Sequence, residues 1–589
     1  MCKYMPKDSF NKEEVTIAYF SMEIGLANSM TTYSGGLGIL AGDTIKSCSD
    51  LNIPLVGVSL LNQEGYFKQV IDAEGNQIEE PDPWEPKDHA ELQPEIVSIW
   101  IQDKEVKVRA YKREVKGVAG YSIPVYFLDT DFEGNEEQHR SLTRHLYGGD
   151  QLYRLAQEIV LGIGGFRMLQ ALGFKNINKY HLNEGHASFI ILELLSKTAT
   201  DSDLGWQFDP ELVKKMCVFT THTPVAAGHD HFPFETVKSF LGAYFPYNMV
   251  EGAVRDGQLN LTRMALLYSG YVNGVAKKHG QITRDMFGDS EIDHITNGVH
   301  SVTWTCKSFK MIFDKYIPGW REDPFTLRSA WGIPSEEVWE AHMEAKRKLI
   351  AIINEKNEGF SEDVFTIGFA RRFTQYKRPN FIFRDEKALK EVISRNGKIQ
   401  VVFAGKAHPK DFQGKDILKE VFDIAKDPKY KVNVAFLENY DMELAGYLTS
   451  GVDIWLNNPQ RPMEASGTSG MKAAHNGVPS LSILDGWWIE GHIEGVTGWA
   501  IGEEKYRCND ELAEKRELQD FYKKLAMIVK YYYKDRKSWI KIMKDAISIN
   551  ASFFNTHRMV HQYVLNAYFK SGNFTENPVE NGVEAANTQ

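Results

Sequence analysis

Residues 464–477 read EASGTSGMKAAHNG, which sets Ser466, Gly467, Thr468, Ser469 and Gly470 just ahead of the amine of Lys472. Glycines let a backbone approach a ligand closely, and hydroxyls donate to anions. The spacing therefore suits a phosphate contact or a covalent anchor for an aldehyde. It is not a P-loop, because no hydroxyl residue follows Lys472, and FAGKAHPKD (403–411) lacks one after Lys406. IGFARRFTQYKRPN (367–380) gathers Arg371, Arg372, Lys377 and Arg378. In a chain of net charge −11, four cations at the end of an apolar run fit a phosphate site better than a solvated face. Gly35, Gly36 and Gly38 open a helical stretch after another such run, where free helix amides favour an anion, although a plain strand-to-helix turn has the same composition. HLNEGHASF (181–189) and FTTHTPVAAGHDHF (219–232) offer Asn183, Glu184, His186 and His222 at further run ends. His229 and His231 lack the helical spacing and the cysteine partners of a zinc site, so no metal is expected.

Such residues need elements to hold them. Apolar runs at 15–20, 54–60, 123–129, 216–221 and 292–296, then at 363–371, 398–405, 431–438 and 452–457, read as parallel strands buried on both faces. Helices are expected at 149–172, 185–197, 260–279, 335–356, 412–426 and 512–533. Alternation of the two gives an α/β class. With 589 residues, more than one core is required. The strands fall into two groups, which sets domains at 1–300 and 301–570, followed by a polar tail at 571–589 expected to be disordered. In open α/β sheets ligands sit beyond the carboxyl ends of strands, where every cluster above falls. The acidic balance argues against nucleic acid. The absence of a long apolar run argues against a membrane span, and five scattered cysteines with no leader suggest the cytoplasm.

Taken together, YFSME (19–23), GGLGILA (35–41), LNEGHA (182–187), THT (221–223), TNGVHSVTW (296–304), ARRFTQYKR (370–378), FAGKAHP (403–409), FLENYDMELA (436–445) and the Lys472 segment resemble the α-glucan (glycogen, starch, maltodextrin) phosphorylases. The motifs run in order over about four fifths of the chain. The resemblance implies two Rossmann-like domains facing across a cleft, the GT-B architecture, with pyridoxal 5′-phosphate as a Schiff base on Lys472. It implies retaining phosphorolysis of terminal α-1,4-glucosyl units of glycogen or maltodextrin by inorganic phosphate, giving α-D-glucose 1-phosphate. Arg372, Lys377, Gly36 and the neighbouring Gly35 match substrate-phosphate positions. Arg371, Thr468 and Ser469 match positions around the cofactor phosphate. Tyr440, Trp304 and Asn297 match positions around its ring. Glu464, Ser466, Gly467 and His222 match contacts to glucosyl hydroxyls, with Glu184 and His186 nearby.

The chain departs from animal and plant members at Arg371 (lysine there), at Glu184 (aspartate) and in GTSGMK (GTGNMK). It also has Gly25 where they have a tyrosine, so any contact to the pyridine nitrogen must come from elsewhere. Only 18 residues precede YFSME, which leads to the expectation of an unregulated short type; a homodimer is compatible with this. A nucleotide-sugar glucan synthase on the same fold, or a non-catalytic glucan-binding homologue, are the alternatives. The first would not need Lys472 in this setting, and the second would be signalled by loss of Arg372, Lys377 or Lys472, all of which are present.

Overall fold

The computed structural model describes residues 11–202, 205–225, 228–242, 245–288, 291–503 and 511–569. The expected tail lies outside them. The first sheet is built on seven parallel strands: β1 (Ile17–Ser21), β2 (Leu55–Leu60), β3 (Ser122–Asp129), β4 (Lys179–Asn183), β5 (Cys217–Thr220), β6 (Tyr271–Gly274) and β7 (Asp293–His294). Their spatial order is β7-β6-β5-β4-β1-β2-β3. Lys104–Lys116 continues the sheet antiparallel to β3 and pairs in turn with Glu91–Leu92 and Val97–Ile101. The second sheet is wholly parallel: β8 (Phe365–Ala370), β9 (Ile399–Ala404), β10 (Asn433–Leu437), β11 (Ile454–Asn457), β12 (Ser480–Ile483) and β13 (Gly498–Ile501), in the order β10-β9-β8-β11-β12-β13.

Both sheets are doubly wound. The chain lays two strands on one side of β1, then crosses to lay four on the other, and β8 begins the same pattern with two and three. Each reversal leaves a crevice beyond the strand ends, between β1 and β4 and between β8 and β11. The central strands are buried along their whole length, which is why they read as continuous apolar runs.

The stretch 260–279, expected as one helix, is instead a helix (Leu261–Leu267), then β6, then a helix (Lys277–Phe287). The apolar spacing is helical, but Ser269–Gly270 breaks it. Gly270 also passes so close to the Lys214 carbonyl that a Cβ would sit 2.7 Å from it. Strands β12 and β13 and the hairpin Lys68–Ile71/Gln77–Glu80 were not read from the sequence.

Four helices position the site. Helix α1 (Gly36–Asp50) follows β1, α2 (Met442–Gly451) follows β10, the short α3 (Ser469–Ala474) carries Lys472, and α4 (Thr556–Tyr563) is the last α-helix among the described residues. Although it comes after the second sheet, α4 packs against α1 and the first. Met559, Val560, Tyr563 and Tyr568 share a core with Tyr19, Ile45 and Val218. Between the two large cores lies a smaller one, made of Ile39, Val299, Trp304, Met471, Trp487, Trp488 and Phe554, with Tyr440 at its edge.

Candidate active site

Arg371 follows β8 and Asn457 closes β11, so the crevice of the second sheet brings them together. Arg371 donates to Asn457 Oδ1, and to Glu464 Oε2 at 2.8 Å. Lys377 Nζ donates to the same Oε2 at 2.5 Å. All three charged side chains are buried. Burial alone would raise the Glu464 carboxyl, but Arg371 and Lys377 override it and hold it at about 2. Behind it, Asp485 Oδ2 accepts from the Glu464 amide at 2.9 Å and Oδ1 from the Gly486 amide at 2.9 Å. Burial lifts the Asp485 carboxyl to about 7, against those two amides. Gly467 has φ +85°, a left-handed turn that a side chain would strain, and it lets the loop fold back beside Glu464.

The loop leads into α3. The Thr468 carbonyl accepts from the Lys472 amide at 3.2 Å, and Ser469 Oγ accepts from Trp455 Nε1 at 3.0 Å, fastening α3 to β11. The Lys472 side chain is buried, with Nζ 3.6 Å from the centre of the Trp304 ring. Burial pulls its pKa down to about 8, with Asp43 opposing and Lys46 adding to the fall. Trp304 Nε1 donates to Asp43 Oδ2 at 2.7 Å, and the His300 amide donates to the same oxygen at 3.1 Å. Tyr440 is half-buried; burial pushes its phenol up while the Arg371 charge opposes, which ties this pocket to the cationic cluster. The Asn297 carbonyl accepts from Arg558 at 3.0 Å. Among the described residues, Asp43 Oδ1, Asn297 Oδ1 and Ser466 Oγ are buried without a hydrogen-bond partner.

The first sheet supplies the facing wall. Glu23, just beyond β1, accepts the amides of Ser34 (2.6 Å) and Gly35 (3.3 Å) at Oε2 and the Tyr147 hydroxyl (2.9 Å) at Oε1. This carboxyl fixes the glycine loop. Helix α1 then starts at Gly36 without a side-chain cap, and a Cβ at Gly36 would meet nothing within 4 Å. Its first amides have no intrahelical acceptor. Arg372 is exposed, and its Nη2 would lie 3.6 Å from a Cβ built at Gly35, so a cation of one sheet faces the helix start of the other.

Beyond β4, Glu184 is held at φ +73°, ψ 169°, a region that only glycine enters freely. Its Oε2 accepts the His222 amide (2.7 Å) and the Thr223 hydroxyl (3.0 Å). His222 Nε2 lies 2.6 Å from Asn183 Oδ1, and burial lowers the imidazole to about 4, so it is neutral at neutral pH. His186 is drawn to a different group: Nε2 is 3.4 Å from Asp230 Oδ2, beside Arg154, Glu158 and the Tyr147 ring. Glu158, His186 and Asp230, and likewise Asp50, His300 and His557, sit close enough to share a metal ion. In the second group both imidazoles hydrogen-bond Asp50 Oδ2, which joins α1 to α4.

A carbohydrate phosphorylase family model matches residues 22–126 and 247–496, more than half of the chain. The chain belongs to the carbohydrate phosphorylase family. It is 39% identical to a maltodextrin phosphorylase of Thermococcus litoralis, over 96% of this chain and 72% of that one. It is 36% identical to a glycogen phosphorylase of Aquifex aeolicus (96% and 87%) and 34% identical to a glycogen phosphorylase of Mycobacterium bovis (94% and 70%). By family it is a glycosyltransferase. The second matched block of this phosphorylase holds Arg371, Arg372, Lys377, Glu464 and Lys472, and the first holds Gly35, Gly36 and two carboxyls that sequence reasoning gave no role, Glu23 and Asp43. Glu23 was detectable as an acid at a strand end. Asp43 was not, because a carboxyl two turns into a helix ordinarily marks a solvated face.

Proposed function

We propose that this chain is an α-1,4-glucan phosphorylase of GT-B architecture, with the cleft between two doubly wound units, 1–300 and 301–570, as its active site. The reading is carried by one observation: Lys472 is a buried amine with a pKa near 8, lying over the Trp304 indole on the short helix that follows the loop from Glu464, itself paired with Arg371 and Lys377. The names of the relatives support the same class of substrate.

The residues present fit pyridoxal 5′-phosphate. Lys472 would hold it covalently, since an amine with lowered pKa is the form that condenses with an aldehyde. Trp304 and Tyr440 would flank its ring with Asn297 at the edge, and Arg371, Thr468 and Ser469 would take its phosphate. When bound, the cofactor supplies a phosphate that serves as proton donor and acceptor.

The chain's own residues do the rest. Arg372, Lys377 and the free amides at the start of α1 bind inorganic phosphate; two phosphates in a low-dielectric cleft need this much positive potential. Glu464, Ser466 and Gly467 orient the terminal glucosyl hydroxyls. Glu464 is ionised and already paired, so it accepts from hydroxyls without changing the charge of the site. Glu184 fixes the loop at His222, whose neutral ring and main-chain carbonyl face the sugar and stabilise positive charge developing at the anomeric carbon. Water is excluded by the apolar wall of Trp304, Trp487 and Tyr440.

The test is to incubate purified protein with pyridoxal 5′-phosphate, maltodextrin and inorganic phosphate. Phosphate-dependent release of the α anomer of glucose 1-phosphate is expected. Cofactor binding without release would reject the reaction. Absence of both cofactor binding and release would favour the nucleotide-sugar glucan synthase.

A further inference from the structure

The Asp43 carboxyl is built into the Lys472 pocket but uses only half of its bonding capacity. Oδ2 accepts both the Trp304 indole N–H and the His300 amide. Oδ1 is buried and has no donor among the described residues. An unpartnered buried carboxyl oxygen is destabilising, so it persists where something else completes it. Lys472 lies on the indole that Asp43 anchors. The other charged or titratable neighbours that feel Asp43 are Lys46, His300 and His475. Each of them is engaged: Lys46 Nζ with Thr303 at 3.4 Å, His300 with Asp50 and Thr303, and His475 with Ser301 and the Met471 carbonyl.

We propose that Asp43 accepts the N–H of the cofactor's protonated ring nitrogen. The inference rests on the reading of Lys472 as the cofactor lysine. Backbone packing explains why this helix supplies the group. A side chain at position 25 would be crowded: a Cβ there would already lie 3.0 Å from Ile39 Cδ1 and 3.2 Å from Tyr33. Gly42 rests on the Gly25 carbonyl so closely that a Cβ would fall inside it. That contact brings α1 down onto the pocket and delivers Asp43, the next residue. A committed Lys472 no longer carries an ammonium charge, and a ring N–H would restore a cation for Asp43 to face. Asp43 acts here as a cofactor-binding residue, because it touches the ring and not the reacting sugar.

Two measurements on the wild type and one on a variant test this. Protein freed of cofactor is titrated with pyridoxal 5′-phosphate and with its 1-deaza analogue, which has no ring nitrogen. A charge-assisted hydrogen bond predicts about a 10- to 100-fold preference for the natural cofactor. The ¹⁵N shift of ring-labelled cofactor in the holoprotein at pH 8 should report a protonated nitrogen. In Asp43→Asn the oxygen can keep the Trp304 and His300 bonds while an NH₂ replaces Oδ1, and the preference should fall below about threefold. Asp43→Ser makes the same comparison if the Asn variant does not keep the wild-type unfolding temperature. A wild type that binds both compounds equally, an unprotonated nitrogen, or a preference retained in the variants would each overturn the inference. A wild type that binds neither compound would instead reject the assignment of Lys472.

Discussion

At the scale of single residues, the site combines an amine whose pKa burial lowers with a carboxyl that cations keep charged. Lys472 has its pKa lowered to about 8, so its nucleophilic free-amine fraction grows as the pH rises toward 8. Cofactor loading of the empty protein should therefore speed up about tenfold per pH unit below 8 and level off above it, as followed by absorbance after rapid mixing. A rate that is flat from pH 6 to 8 would contradict the lowered pKa. Lys472→Arg keeps the charge but cannot condense; it should fold, fail to retain cofactor through gel filtration and release no glucose 1-phosphate. Glu464 has the opposite sign. Its folded pKa, about 2, lies below the ordinary 4.5, so its stabilising contribution is fully present above pH 4.5 and is lost as the pH falls toward 2. Glu464→Gln leaves Arg371 and Lys377 buried against a neutral group and should cost about 3 kcal/mol in urea unfolding at pH 7. The gap between wild type and variant should narrow between pH 4.5 and 3.5; a constant gap would contradict the lowered pKa of Glu464.

At the scale of elements, β4 ends in a strained residue for a reason that can be checked. Glu184→Gly removes a backbone penalty of about 1–3 kcal/mol and also removes the acceptor for the His222 amide and the Thr223 hydroxyl, worth about 1 kcal/mol each. These nearly cancel, so the unfolding temperature should move little, while kcat/KM for maltodextrin falls about 100-fold as the His222 loop loses its position. A variant with full activity would show that the strain serves nothing. The same contrast separates what was legible in the sequence from what was not. Arg371 and Lys377 could be found because cations at the end of a fully buried strand have no bland explanation. The run 365–370 is buried throughout and apolar but for Thr366, and its ends mark the crevice. Asp485 and Asp43 were invisible because their meaning comes from packing: β12 was not read as a strand, and α1 looks ordinary until Gly42 is seen resting on Gly25. Strand β6 was hidden by apolar residues at helical spacing on both sides of Ser269–Gly270, where only the contact to the Lys214 carbonyl forces the break.

At the scale of the whole molecule, the two sheets are joined more intimately than a linker would join them. The hairpin 68–80 reaches across to the second sheet. Gln69 exchanges hydrogen bonds with Asn439 and donates to the Gly405 carbonyl, and Gln77 bonds both the amide and the carbonyl of Ala407. From the other direction, the chain leaves the second sheet and closes on the first through α4. Tyr563 hydrogen-bonds Thr220 and Asn273 on neighbouring strands, Tyr568 bonds His181, and Arg558 donates to the carbonyls of Thr296 (2.6 Å) and Asn297 (3.0 Å) at the edge of the site. A chain ended after Asn555 would uncover Tyr19, Ile45, Val218 and Ile295 and forgo burial of Met559, Val560, Tyr563 and Tyr568, roughly 2 kcal/mol for each side chain. That sum is a large part of the 5–15 kcal/mol by which a domain is ordinarily stable. It falls on the first sheet alone, because the core of the second contains none of these residues. Calorimetry of the full chain should then give one transition, and the shortened chain two, the earlier one accompanied by release of tryptic peptides from 17–300. A shortened chain that unfolds in a single step within about 3 °C of the full one would show that α4 covers the first sheet without stabilising it, and that the hairpin and the shared Ile39–Trp304–Trp487 core suffice to couple the halves.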